Sequence, residues 1–313
     1  MALDTGVLLH QLEQFFLMIA TGFAAYKLRL MDGPMHDMLC RALLRVVVPA
    51  LLFSMIASSG EAASGALIRP LLLGGALLYA LSMSLGWLLA KLFRFTGDAE
   101  SVQIGLTAFC SVGFFGVPLA VSLLGKVGAL ALGLYVILDS GVVWTVGVRL
   151  AQPHGAAAPG WRTSLMRMAN PSSIAVLLGL LYLLSGLPSE NIVLEAAATV
   201  GGSSTALAML CIGGSIARAD VRALLAGWRS LGIALTKMLL LPVGLWYSMA
   251  ALGVYRPAAV ALTLICALPC SSTFAILCRD AGSTAADYAA SASILTALCS
   301  LGTVPLVALL CGW

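Results

Sequence analysis

The sequence predicts an all-α polytopic membrane protein with ten transmembrane helices, arranged as two inverted halves of five. Three observations lead there. Of the 313 residues, 61% are hydrophobic and only 10% charged, where an ordinary soluble domain carries about 25% charged residues. Apolar stretches such as Leu71–Ala90 and Ala129–Leu150 are long enough to cross roughly 30 Å of hydrocarbon. Finally, Ser101–Leu124 and Pro257–Cys278 are each interrupted at mid-depth by Pro and small polar residues. Irregular backbone at that depth is tolerated only where it is buried in protein or lines a cavity. A matched pair in two halves points to a transporter's binding site.

Hydropathy and turn residues place the spans in order. Those of the first half, residues 1–150, are Val7–Tyr26, Leu39–Ala57, Pro70–Leu92, Ser101–Leu124 and Gly128–Leu150. A linker rich in Ala, Pro and Gly occupies 151–169. The second half, 170–313, holds Pro171–Leu187, Ile192–Ile216, Leu224–Val254, Pro257–Cys278 and Ala285–Gly312. Loops after odd-numbered spans carry Lys27, Arg29, Arg41, Lys91, Arg94, Arg149, Arg162, Arg167, Arg218, Arg222, Arg229 and Arg279. The opposite side carries only Arg69, Lys126 and Arg256. Basic residues collect in the cytoplasm, so the linker is expected inside and both termini outside. Asp4 and Glu13 flank the first apolar run with no basic segment before it, so that run reads as a retained span and not a signal peptide. Because five is odd, the second half starts from the opposite face, which makes any repeat an inverted one.

The composition argues against other classes. No basic tract interleaved with aromatics suggests nucleic-acid binding, and no loop is long enough for a soluble catalytic domain. Cys110, Cys211, Cys266, Cys270, Cys278 and Cys299 lie inside apolar segments, and His10, His36 and His154 complete no ligand set. The cysteines therefore read as small packing residues, with no metal or other cofactor implied. No arrangement of nucleophile and base recommends an enzyme.

In the fourth span, Gly113, Gly116 and Pro118 fall close together; in the ninth, Pro269 precedes Cys270, Ser271, Ser272 and Thr273. Proline removes a donor and clashes with the carbonyl four residues earlier. Unwinding there would free amides and carbonyls at the midplane, and half-helix N-termini suit an anion. The alternative is a simple kink in each helix, with Ser and Thr bonding the freed carbonyls. Candidate substrate-binding residues are Ser111, Val112, Gly113, Pro118, Pro269, Ser271, Ser272 and Thr273.

Asp139 lies near the middle of the fifth span, where a carboxylate is costly unless paired, solvated or protonated. It is a candidate for proton coupling, or else an acceptor for the broken backbone of span four. Lys237, in span eight, either snorkels to the cytoplasmic face or pairs with a substrate carboxylate or Asp139. Gln103 faces the inner vestibule or the interface, and Glu13 is close enough to the outer surface to be solvated.

Several runs resemble the auxin efflux carrier family, which includes PIN proteins and malonate-type permeases. Ser111-Val112-Gly113-Phe114-Phe115-Gly116-Val117-Pro118-Leu119 is similar to the family's fourth-helix pattern N-x-G-F-x-G-x-P-L. Pro49-Ala50-Leu51-Leu52-Phe53 is similar to its P-A-L-L-F helix. Leu268-Pro269-Cys270-Ser271-Ser272-Thr273 resembles its M-P-x-A-x-N run, and Asn170-Pro171 and Lys237 to Pro242 also fit. Ser111 and Thr273 stand where many members have asparagine, so both lack the carboxamide's paired functions.

The resemblance implies a fold like that of sodium/proton antiporters. Spans 3–5 and 8–10 would form a transport domain with spans four and nine crossing at its centre. Spans 1, 2, 6 and 7 would form a scaffold and a homodimer contact, with the small residues Gly201–Ala208 permitting close packing. The expected function is elevator-like secondary transport of a small organic anion of the carboxylate type, with H+ as one candidate coupling ion. Alternatives are a sodium-coupled symporter of the bile-acid type and a ligand-binding receptor without flux.

Overall fold

The computed structural model describes residues 5–60, 65–156, 160–188, 191–218, 232 and 235–312. Arg222, Arg229 and the first part of span eight lie outside them. The described chain is helical apart from its turns and one isolated bridge. With the expected spans kept as labels for the helices, span one covers Thr5–Lys27, span two runs unbroken over Gly33–Ala57, and span three covers Gly65–Leu92. Span six is Pro171–Leu184, span seven Ile192–Gly202 with Ser204–Arg218, and span ten Ala286–Cys311. A further short helix, Trp161–Met168, lies in the linker. Four helical stretches among the described residues are long and apolar enough to cross a membrane.

One of those four, Val117–Ala151, is a composite. Gly125 interrupts it at φ 55°, ψ −131°, a conformation that glycine adopts without steric cost. Residues 117–124 therefore finish span four, and 126–151 are span five. The two pack so closely that a Cβ on Gly128 would lie 2.1 Å from the Ala120 carbonyl oxygen.

Three prolines widen their helices without breaking them. The π-helical turns Leu43–Val47, Val112–Gly116 and Thr236–Leu240 each end two residues before a proline: Pro49, Pro118 and Pro242. In all three the residue preceding the proline donates its amide five residues back. A proline ring would collide with the carbonyl four residues earlier; the wider turn moves that carbonyl aside while the helix continues. Pro118 thus lies inside an intact helix, not at the interruption of span four that the sequence suggested.

Burial runs opposite to a soluble protein's expectation at the surface. Leu17, Leu73, Leu181 and Leu240 are more than half exposed, forming part of an apolar exterior suited to lipid. The fully buried residues concentrate on spans four, five and nine, including Leu106, Phe109, Leu130, Leu132, Leu264 and Leu268. Spans one and seven pack together, as do two with six and two with seven. Spans three and four, three and nine, and nine and ten form a second set of neighbours.

Asp98, just before span four, fastens three loops. Its Oδ1 accepts from the His154 amide at 2.7 Å; its Oδ2 accepts from the Thr284 amide and hydroxyl at 2.8 and 2.9 Å and from the Ser283 hydroxyl at 3.3 Å. Loops after spans three, five and nine therefore meet at one end of the bundle. The His154 amide bond, then those from Thr284, lower the carboxyl's pKa to about 2. A carboxylate with a depressed pKa stabilises fully above its unfolded value of about 3.9, and that contribution is lost as pH falls towards 2. Asp98→Asn should therefore lower stability by about 2 kcal/mol, by the same amount across pH 5 to 8. Thermal unfolding of both proteins across that range checks it; a deficit that grows between pH 6 and 8 would contradict this assignment.

Candidate functional site

The two interrupted helices meet at their breaks. Span four stops at Ala108 and resumes at Val112; span nine stops at Ala267 and resumes at Ser272. Cys110 and Cys270 face each other as an antiparallel bridge. The Ser111 amide donates to the Pro269 carbonyl at 2.8 Å, and the Ser271 amide donates to the Phe109 carbonyl at 3.1 Å. Exchanging 109–111 with 269–271 turns one bond into the other, so the crossing has local twofold character. Ser111 and Ser271 each stand at the N-cap of the resuming helix, residue types favoured there.

Partners from other helices hold the unwound backbone. The Cys270 amide donates to Thr296 Oγ1 at 3.0 Å, and the Ser293 hydroxyl donates to the Cys270 carbonyl at 3.3 Å. Lys237, 1% exposed, donates from Nζ to the Leu106 and Phe109 carbonyls at 2.8 and 2.7 Å. A cation there complements the negative end of the half-helix Asp98–Ala108. Its long stem carries the ammonium inward to the break, and no ion pair joins it to Asp139 among the described residues.

Beside the crossing lies a cavity of about 250 Å³. Span four contributes Ser111, Val112 and Gly113, and span nine contributes Ser271, Ser272 and Thr273. First-turn amides of a helix have no intrahelical carbonyl to bond, so two positive helix ends border the same space. Asp139 lines it from span five, next to Ser140. The opposite wall comes from spans two and six, through Leu44, Arg45 and Val48 and through Asn170, Pro171 and Ser172. Pro118 and Pro269 are not in the wall; Pro269 acts through its carbonyl at the crossing.

Asp139 Oδ1 accepts a hydrogen bond from the Tyr79 hydroxyl of span three. The Tyr79 ring is stacked on that of Tyr135, 5.5 Å apart and 4° from parallel. Asp139 thus accepts a hydrogen bond from a phenol and not from the amides of the broken backbone. Next to it the Asn170 amide side chain donates to Ser140 Oγ at 2.9 Å, and Ser140 and Ser173 hydroxyls lie 2.8 Å apart. Asn170 also caps span six by accepting from the Ser173 amide at 3.0 Å. Gln103 is fully buried, donating to Thr107 Oγ1 at 3.1 Å and accepting from the Tyr288 hydroxyl at 2.6 Å.

Sequence reasoning passed over Tyr79, Arg45, Trp144 and Ser140. A lone tyrosine within span three was the available signal for Tyr79. The others are recognisable only once spans two, five and six stand around the crossing. Among the small residues of span seven, Gly201, Ser204 and Ala208 are buried within the chain, whereas Gly202, Ser203 and Ala206 face outward.

A search of the curated proteins returns no match. One family model, described as membrane transport protein, matches residues 7–159, a stretch that contains both the Pro49–Phe53 and Ser111–Leu119 runs. Together with the apolar exterior, this makes the chain a multi-pass membrane protein whose residues 7–159 are similar to a family of membrane transporters. The matched family is the one that the motifs in spans two and four resemble.

Proposed function

We propose that the chain is a secondary active carrier of a small organic anion, working by an elevator-like movement coupled to protons. One observation carries this reading: a single cavity receives the amide ends of both interrupted helices together with an ionisable group, Asp139. Positive helix ends favour a carboxylate, and a carboxylate side chain in a membrane span is suited to taking up and releasing a proton. The cavity wall is divided between spans four, five and nine and spans two and six, so sliding one set past the other would re-expose the site. Asn170 caps the end of span six that joins an odd-numbered loop, while Arg45 lies midway along span two. Under the positive-inside distribution the cavity therefore opens to the cytoplasm.

The same reading places the termini in the periplasm and takes the twofold crossing as the centre of an inverted five-plus-five repeat. Spans 1, 2, 6 and 7 serve as scaffold, with the outward face of Gly202, Ser203 and Ala206 as its homodimer contact. Small residues allow two helices to approach closely.

Asp139→Asn tests the coupling. Asparagine can still accept from Tyr79, so the variant should fold with an unchanged unfolding temperature. In proteoliposomes it should lose uptake of organic acids driven by a pH gradient, at least tenfold relative to the parent. Uptake that persists undiminished rejects Asp139 as the coupling group; uptake that follows a sodium gradient and ignores pH selects sodium symport instead.

A further inference from the structure

The walls of the crossing cavity carry one basic side chain, Arg45, and one acidic side chain, Asp139. Arg45 is exposed, sits on the widened turn Leu43–Val47, and has no ion-pair partner among the described residues. That turn exists because of Pro49, whose ring requires the Arg45 carbonyl to move aside. Across from it, Gly113 approaches span two so closely that a Cβ there would lie 2.9 Å from Leu44 Cδ2. The guanidinium therefore shares the cavity with the Gly113 helix end. Asp139 engages Tyr79 through Oδ1, while its Oδ2 makes no hydrogen bond among the described residues.

We propose that Arg45 is the charge-recognising residue of this cavity, and that with Asp139 it selects a monocarboxylate bearing a hydrogen-bond donor over a dicarboxylate. The inference rests on the carrier reading above and adds the substrate class. An arginine presents a planar fork of donors matched to a carboxylate, and the amide end of span four reinforces it. Asp139 then decides what the rest of the molecule can be. A hydroxyl or ammonium donates to its free oxygen, whereas a second carboxylate meets a like charge in a confined, poorly solvated space. A site built to hydrogen-bond a donor also disfavours the analogue that lacks it. The volume of about 250 Å³ sets the size, below the roughly 300–1,000 Å³ of drug-sized pockets.

Solute counterflow in proteoliposomes needs no ion gradient and so reads recognition separately from coupling. The probes are radiolabelled lactate, propionate and succinate at pH 7.5, offered to the parent, Arg45→Gln, Arg45→Lys and Asp139→Asn. Lactate should exchange at least tenfold faster than succinate and clearly faster than propionate. Arg45→Gln should cut lactate exchange at least tenfold, and Arg45→Lys should restore part of it. Asp139→Asn should narrow the preference over succinate. Succinate exchanging as fast as lactate, or an Arg45→Gln protein with unchanged exchange, overturns the inference while leaving the carrier reading in place. If none of the three acids exchanges through any of the proteins, the carrier reading fails and the inference with it.

Discussion

Replacing Lys237 with alanine is expected to be among the most destabilising single changes in the chain, costing about 3–5 kcal/mol. Two losses combine. The buried stem leaves a cavity where span eight meets the crossing, and the Leu106 carbonyl loses its donor in a region that water does not reach. The Phe109 carbonyl keeps the Ser271 amide as a partner, so it is Leu106 that is left exposed to the full desolvation cost. Lys237→Met separates the two effects. Methionine fills most of the volume and removes the buried charge, whose desolvation is itself expensive. The methionine variant should therefore lose only about 1–3 kcal/mol. Thermal unfolding of the three proteins in one detergent measures the order parent, methionine, alanine. A methionine variant as stable as the parent would show that the ammonium does not hold the end of the half-helix.

Gly213→Val should be comparably severe, by pulling span seven away from span one. An added Cβ at Gly213 would lie 2.1 Å from the Ile19 carbonyl oxygen and 2.6 Å from the Phe23 nitrogen. Gly22 makes the reciprocal approach, 2.4 Å from the Leu210 carbonyl oxygen. Both obstacles are backbone, so no rotamer change relieves them and the helices must separate. In lipid, close packing is the main attraction between helices, and overpacking costs about 1–3 kcal/mol or more. Gly202 provides the control, since a Cβ there meets nothing within 4 Å in the chain. Gly202→Val should leave the unfolding temperature of the isolated protomer unchanged, within about 0.5 kcal/mol. Equal losses at both positions would refute the assignment of Gly213 to a backbone contact.

Much of the architecture is readable from the letters because a bilayer imposes one rule on every segment. Apolar runs such as Leu71–Ala90 must close their own hydrogen bonds, so they become helices whatever their neighbours do. The residues of the interruptions were readable as well: Ser111, Gly113 and Ser271 to Thr273 all border the cavity. Their alignment was less clear. The family resemblance picked out Ser111 and Thr273 as the positions where many members have asparagine, whereas the crossing makes Ser111 and Ser271 equivalent. The dipeptide Cys-Ser occurs at 110–111 and 270–271 but also at 299–300, so it does not by itself pick out the crossing. Pro118 misled for a physical reason, because a proline can widen a helix as well as break it, and composition alone does not say which.

The sequence by itself determined that this chain is a helical membrane protein with two interrupted spans, since hydropathy and helix breakers act locally. Its tertiary structure decided the partners of the charged groups. Lys237 and Asp139 both lie in apolar spans and invite pairing with each other. One instead takes the carbonyls of a helix end and the other a tyrosine hydroxyl from span three. Arg45, one basic residue among seventeen lysines and arginines, became notable only when its helix formed the wall opposite the crossing. A buried charge is governed by whatever lies within a few ångströms of it, and that distance is set by the packing of distant helices, not by the order of residues along one of them.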